Sequence, residues 1–171
     1  YDEENKVILC YNGEIYNYKF FGNYKSDTEM IIGQYIKNGL DDIKNFDGEF
    51  TFVIFDFKKD RIIQSSDIFG TKPQWYYTKK NEIIISSFRS SIHNCLGLEE
   101  NFSRDLNNPL IKKNIFVRDI KKLDPNKIIV RKLKNLKIIK IMDVYKFNLN
   151  QHKNNFNDYC CFIIIWCSFV Y

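Results

Sequence analysis

The sequence predicts an α+β fold in which a β-sheet is covered on both faces. The run 50–57 (FTFVIFDF) is apolar on both of its alternating sets of residues, and a strand of that kind is buried on both sides. A helix with start and stop signals precedes it at 26–39. Several short apolar runs separated by polar turns follow it, as expected for further strands. A sheet layered between other elements is the architecture that these three observations favour.

The first elements along the chain are a strand, a turn and a helix. Residues 6–11 (KVILCY) predict a strand, and Asn12-Gly13 directly after it predicts a tight turn. Ser26 and Glu29 have the spacing of a capping box, and Gly39 is typical of the residue that follows a helix. Between these signals the buried face repeats at helical spacing, through Met30, Ile31, Gln34 and Tyr35.

The remaining elements are short. The run 50–57 and the three apolar runs after it predict an antiparallel meander, and 88–98 predicts a short helix. The strands expected after 50–57 are 61–66, 74–78, 82–87, 114–118, 127–131 and 137–145, with a polar loop at 99–110 and a turn at 124–126. We expect one domain over 1–147, followed by a linker and an apolar tail within 148–171.

The composition is that of a globular protein with reduced thiols. The chain has 171 residues, 44% hydrophobic and 27% charged, with a net charge of +5. Five Cys (10, 95, 160, 161 and 167) form no paired spacing, and two His give no zinc pattern, so we expect neither disulfides nor a metal site. The uncharged tail at 160–171 is shorter than the roughly 20 residues of a spanning helix. These features predict a cytoplasmic protein without a membrane partner.

One basic window leaves two interpretations. Residues 111–140 contain 11 Lys and Arg against two Asp. A basic stripe of this kind can follow the phosphates of a nucleic acid. It is also what a solvated, lysine-rich face looks like when apolar residues alternate inward. We favour the second interpretation, because the chain has 21 Lys against only 5 Arg overall, and therefore predict no nucleic-acid partner.

The stretch CYNGEIYN at 10–17 also leaves two interpretations. Asn-Gly is typical of a hairpin turn. The same pair offers a side-chain amide and a backbone N–H that could donate to one oxygen, as in an oxyanion hole. Glu14 and Asp27 are either a turn acid and a first-turn helix acid or a pair that grips an ammonium group.

Four collinear motifs, CYNGEIYN, SDTE, FDGEFTFVIFD and DIFGTKP, resemble the glutaminase domain of asparagine synthetases. That domain is a class II glutamine amidotransferase, so the resemblance implies the αββα sandwich of the N-terminal-nucleophile (Ntn) hydrolase fold. It also implies hydrolysis of glutamine, with ammonia passed to a separate ATP-dependent domain that amidates aspartate. By motif position, Asn12 and Gly13 correspond to the oxyanion hole, and Asn12, Gly13, Glu14 and Asp27 to the glutamine-binding residues.

The same resemblance implies a nucleophile at an N-terminal Cys, whereas this sequence starts with Tyr1. We therefore expect an N-terminally truncated domain, inactive alone, that works with a synthetase domain or a second subunit. ATP and Mg²⁺ would belong to that other domain, because the sequence lacks its Ser-Gly-Gly-x-Asp-Ser loop, and we expect no cofactor in this chain. The alternative is a catalytically silent, amidotransferase-like binding domain.

Overall fold

The structure, a computed structural model, describes residues 1–97 and 119–146. The strands are β1 (Val7–Ile15), β2 (Gly48–Asp56), β3 (Arg61–Ser66), β4 (Trp75–Lys79), β5 (Glu82–Ser86), β6 (Lys121–Lys122), β7 (Lys127–Lys132) and β8 (Ile138–Asp143). They form two antiparallel sheets, with the orders β1-β2-β3-β7-β8 and β5-β4-β6. The helices are α1 (Asp27–Asn38) and α2 (Arg89–Cys95), and short 3₁₀ turns cover Tyr18–Phe21 and Ile43–Asn45.

These elements stack in four layers, because three apolar clusters separate them. The largest cluster lies between α1 and the five-stranded sheet and includes Met30, Tyr35 and Phe50. A second cluster joins the two sheets through residues such as Val53, which packs with Ile83 of the smaller sheet. The third lies between the smaller sheet and α2. The predicted αββα order and the predicted double covering of the run 50–57 are both confirmed.

Helix α1 forms where its signals predict it. The Ser26 side chain accepts a hydrogen bond from the backbone N–H of Glu29 at 3.2 Å. The Glu29 carboxylate in turn accepts from the backbone N–H of Lys25 at 2.7 Å. At the other end Gly39 takes a positive φ of 69°, which a residue without Cβ adopts most easily. This cap fixes the place of Asp27, the first residue of the helix.

The tight turn predicted at Asn12-Gly13 is wrong, because β1 continues straight through it. Gly13 pairs with Phe50 of β2, in register with the pairs on either side. A Cβ on Gly13 would lie 2.1 Å from the carbonyl oxygen of Glu49 and 2.6 Å from Cα of Phe50, and its φ is +142°. Glycine is therefore required for the close approach of two strands, rather than for a reversal of the chain.

The predicted four-stranded meander is also wrong, because the chain changes sheets between β3 and β4. Asp67 begins that crossing and is buried. Its carboxylate accepts hydrogen bonds from the backbone N–H groups of Phe50 and Phe69, at 3.1 and 2.8 Å, and from the hydroxyl of Thr71 at 2.6 Å. The motif DIFGTKP thus folds around one carboxylate that ties the loop to β2.

The last described strands, β7 and β8, lie where the sequence predicts them, and so does α2. The sequence does not predict the two-residue strand β6, because its two lysines form no apolar run. The predictions for 99–110, for 114–118 and for 148–171 lie outside the described residues. In the part of the chain that the structure describes, no helix combines the length and the apolar character needed to cross a membrane.

Candidate functional site

The candidate site lies along the outer edge of β1, which ends the five-stranded sheet among the described residues. Antiparallel pairs alternate between those that exchange backbone hydrogen bonds and those that do not. The N–H and the C=O of Phe50 both bond to Asp67, on the side of β2 that faces away from β1. Gly13, the partner of Phe50, therefore directs its own N–H and C=O away from β2 and toward the edge.

The neighbouring residues confirm this direction. Val7 exchanges backbone hydrogen bonds with Asp2, at 2.8 and 3.0 Å, on the outer side of the strand. At the other end the backbone N–H of Ile15 donates to the Asp27 carboxylate at 3.1 Å. Gly13 lies two residues from Ile15, so the two outward N–H groups are about 7 Å apart along one edge.

Asp27 is a half-buried carboxylate held by donors from two elements. Its Oδ2 accepts from the hydroxyl of Tyr11 at 2.6 Å as well as from the N–H of Ile15. Its Oδ1 accepts from the backbone N–H of Thr28 at 2.7 Å. Burial, together with the hydrogen bond to Asp27 and the charge of that residue, raises the pKa of Tyr11 above its ordinary value. Tyr11 is therefore a neutral donor at physiological pH.

Asn12 projects from the opposite face of β1, toward the smaller sheet. Its Nδ2 donates to the hydroxyl of Ser87, directly after β5, at 3.1 Å. A carboxamide nitrogen carries two hydrogens, so this bond orients the group and leaves one donor for a ligand. The Asn12 amide and the Gly13 N–H are thus adjacent, but they leave the strand in different directions.

Glu14 lies on the same face as Asn12 and is exposed. It stands directly opposite Glu49 on β2, and Glu49 forms a salt bridge of 3.3 Å with Lys72. The alternation along β1 directs the peptide groups of Glu14 toward β2, so its carboxylate is the part that remains for a ligand. Asp27 approaches β1 from the α1 side, so the two acids flank the strand from opposite faces.

A row of buried polar side chains lies between the two sheets behind Asn12. Gln64 donates to Gln74 at 2.9 Å, and Gln74 donates to Thr51 at 2.7 Å. Thr51 is the cross-strand partner of Asn12. Arg131 continues the row, because its Nε donates to Gln64 at 3.1 Å. These linked side chains brace β2, the strand that pairs with β1.

Arg131 also corrects part of the prediction for the basic window. It is 5% exposed, whereas the favoured interpretation places the basic residues of the window on a solvated face. Burial lowers its pKa, and its guanidinium lies over the ring of Tyr76 at 5.2 Å. Arg131 is therefore part of the interior. The choice between a nucleic-acid interface and a solvated face depends on the lysines of the window, and the preference for a solvated face stays a prediction.

The structure gives the other candidate groups no shared site. Cys10 is exposed on β1, and His93 is buried in α2. Over residues 1–97 and 119–146, no cluster of three or more His, Cys, Asp or Glu side chains has the arrangement of a metal site. His152 lies outside the described residues.

Sequence reasoning missed three residues that shape the site, Tyr11, Ser87 and Asp67. In the sequence Tyr11 is only one of the aromatic residues of a strand, and Ser87 is only a polar residue that follows another strand. Their partners are far along the chain, with Tyr11 bonded to Asp27 and Ser87 to Asn12. Asp67 carries a local signal, because an acid followed by a Gly-x-Lys-Pro turn is typical of a loop that bonds its own backbone.

Comparison with known proteins identifies the family. The model of the glutamine amidotransferase domain matches residues 1–153. A putative asparagine synthetase (glutamine-hydrolyzing) 2 of Methanocaldococcus jannaschii is 47% identical over 88 residues, which is 47% of this chain and 17% of that protein. The putative asparagine synthetase 1 of the same organism is 29% identical over 161 residues, 89% of this chain and 28% of that protein. This chain thus spans only a minor part of these relatives.

The fold is also that of a solved amidotransferase. The glutamine phosphoribosylpyrophosphate amidotransferase of Bacillus subtilis aligns with a TM-score of 0.56, covering 86% of this chain and 31% of that one, at 16% identity. At that identity the likeness concerns the fold, which is the α+β sandwich of the Ntn-hydrolase type, as the motifs predict. The chain belongs to the glutamine amidotransferase domain family, and within it resembles the amidotransferase domain of asparagine synthetases.

Proposed function

We propose that this domain binds glutamine along the outer edge of β1. In this proposal the α-ammonium group of glutamine contacts the carboxylate of Asp27, with Glu14 as a second acid on the other face of the strand. We place the side-chain amide oxygen where the outer edge of β1 meets the face toward the smaller sheet, so that it accepts from the N–H of Gly13 and from the second hydrogen of the Asn12 amide. Such donors stabilise the negative charge that develops on the oxygen when an amide carbonyl is attacked.

One observation carries the proposal. The Asp27 carboxylate is held 3.1 Å from the N–H of Ile15, and the N–H of Gly13 points out of the same edge two residues away. An acid bonded at Ile15 and an amide donor at Gly13 lie two residues apart along one edge, where the two ends of a single extended glutamine can contact them. The spacing is fixed by the β1 backbone, and a rigid strand holds a ligand more precisely than a loop does.

We further propose that the amidation of aspartate, with its requirement for ATP and Mg²⁺, belongs to a longer protein or a partner subunit. This chain spans only 17% and 28% of the two asparagine synthetases with which it is compared above. Asparagine formed from aspartate, glutamine and ATP by the 171-residue chain would contradict this part of the proposal.

Binding is tested by calorimetric titration of the chain with glutamine, before and after Asp27→Asn. Removing the charge of Asp27 should weaken glutamine binding by about tenfold or more, because a hydrogen bond between charged groups contributes roughly 1.5–3 kcal/mol. Asp41→Asn is the matched control, since Asp41 is an exposed acid beyond the end of α1. Equal binding by the Asp27 variant and the wild type would remove Asp27 from the proposed site.

A further inference from the structure

The hydroxyl of Tyr11 makes the shortest contact to Asp27. Tyr11 is half-buried on β1, with its ring packed against the cluster between α1 and the five-stranded sheet. Its hydroxyl donates to Oδ2 of Asp27 at 2.6 Å, whereas the N–H of Ile15 reaches the same oxygen at 3.1 Å. Hydrogen bonds between a hydroxyl and a carboxylate at this distance are among the stronger ones in proteins.

This contact determines how the carboxylate is turned. The N–H of Thr28 reaches only Oδ1, from within the helix that carries Asp27. Without the Tyr11 hydroxyl, Oδ2 would keep a single donor from β1, the N–H of Ile15. With it, two donors four residues apart along β1 fix the plane of the carboxylate against the edge. The lone pairs of the Asp27 carboxylate that accept no hydrogen bond from the protein are therefore held in a fixed orientation relative to the β1 edge.

A second pair of the same chemistry shows what a purely structural contact looks like. Tyr35 of α1 donates to Oδ2 of Asp56 at 2.7 Å, and Asp56 is only 1% exposed. No ligand can reach Asp56 without unfolding its surroundings. Asp27 is half-buried instead, and it bonds a backbone N–H at the edge that also exposes Gly13.

We propose that Tyr11 is a positioning residue for amino-acid recognition, orienting the Asp27 carboxylate so that it accepts from the α-ammonium group of glutamine. This inference rests on the proposed function, because it assumes that Asp27 contacts that group. Tyr11 itself touches no ligand atom. Its effect on binding should therefore appear only when the ligand carries an α-ammonium group.

The test is a calorimetric comparison of two ligands and two tyrosine variants. The ligands are glutamine and glutaramate, which is the same molecule without its α-amino group. Tyr11→Phe should weaken glutamine binding by about tenfold, the usual consequence of losing a hydrogen bond to a charged group, and should change glutaramate binding by less than about twofold. Tyr35→Phe, the matched control, should change neither affinity.

Each other result overturns a defined statement. If the wild-type chain binds no glutamine, the proposed function fails and the role of Tyr11 fails with it. If the wild type binds glutamine and Tyr11→Phe weakens both ligands equally, or neither, only the positioning role is lost. A Tyr11→Phe chain that no longer unfolds cooperatively in urea would assign Tyr11 to stability and would also overturn the positioning role.

Discussion

The two ends of the β1·β2 strand pair carry the same hydrogen bond in different surroundings. At one end Tyr35 donates to Asp56, which is paired with Val7. At the other end Tyr11 donates to Asp27, beside Ile15. Both bonds link α1 to the five-stranded sheet. The pKa of each tyrosine is raised, first by burial and then by its hydrogen bond to the carboxylate. The chemistry alone does not distinguish them.

The surroundings do distinguish them. Asp56 is 1% exposed, and its other oxygen accepts from the N–H of Lys59 at 2.8 Å, within the turn after β2. Asp27 is half-buried, and it bonds the N–H of Ile15 on the outer side of β1. A buried carboxylate with its donors supplied stabilises the fold. A carboxylate at the outer edge of the strand remains able to receive a ligand, so the comparison separates a structural end from a proposed functional end.

The largest effect is expected from a substitution that disrupts the strand pair at its proposed functional end. Gly13→Ala should lower the free energy of unfolding by about 3 kcal/mol or more, because the new Cβ would lie 2.1 Å from the carbonyl oxygen of Glu49 at a φ of +142°. Urea denaturation measures the change. Gly39→Ala is the control, with a φ of +69° and no atom within 4 Å of the new Cβ, and should cost about 1 kcal/mol.

A Gly13 variant as stable as the Gly39 variant would contradict the close approach of β1 and β2. The edge geometry that holds the Gly13 N–H in place would then be wrong as well, since both depend on the same register.

The next largest effect is expected from removing the hydrogen bond at the structural end. Tyr35→Phe should lower the free energy of unfolding by about 1–3 kcal/mol, because it leaves one oxygen of a buried carboxylate with a lost donor. Glutamine affinity should stay at its wild-type value. Loss of glutamine binding in this variant, at full folding, would show that the two ends are not separable in the way the comparison requires.

The smallest effect is a pH dependence that sharpens the same comparison. The raised pKa of Tyr35 means that the folded protein holds this proton more tightly than the unfolded chain does. Its contribution to stability is complete below the ordinary tyrosine pKa of about 10 and is lost as the pH rises beyond it. The free energy of unfolding should therefore fall as the pH rises above about 10, by at most about 1.4 kcal/mol per pH unit from this group.

Urea denaturation at these pH values, on the wild type and on Tyr35→Phe, measures that contribution. The fall should be shallower in the variant. Identical pH profiles for the two proteins would mean that the Tyr35 proton is not held by the fold.

The layers and most of the elements could be predicted because their signals are local. The capping residues Ser26 and Glu29 define α1, and the double apolar set of 50–57 requires a strand covered twice. The continuation of β1 through Asn12-Gly13 could not be predicted from sequence, because glycine is suited both to a tight turn and to a close approach of two strands. Only the partner strand, with Glu49 and Phe50 next to Gly13, decides between them.

The candidate site could be predicted in part. Asn12, Gly13, Glu14 and Asp27 came from motifs, and the structure brings Asp27 to the edge that Gly13 shares. The roles of Tyr11 and Ser87 could not be predicted, because the contact of Ser87 spans 75 residues and that of Tyr11 spans 16. Contacts of this kind exist only once the register of β1 and the crossing between the two sheets are known.

The most direct test of the proposed glutamine site is a nuclear magnetic resonance titration of the ¹⁵N-labelled chain with glutamine. The backbone amide signals of Gly13 and Ile15 should shift with increasing glutamine, while those of Val7 and Asp56 at the other end of the strand pair should stay in place. Signals of Gly13 and Ile15 that do not move at saturating glutamine, or shifts confined to other parts of the domain, would contradict binding at the edge of β1.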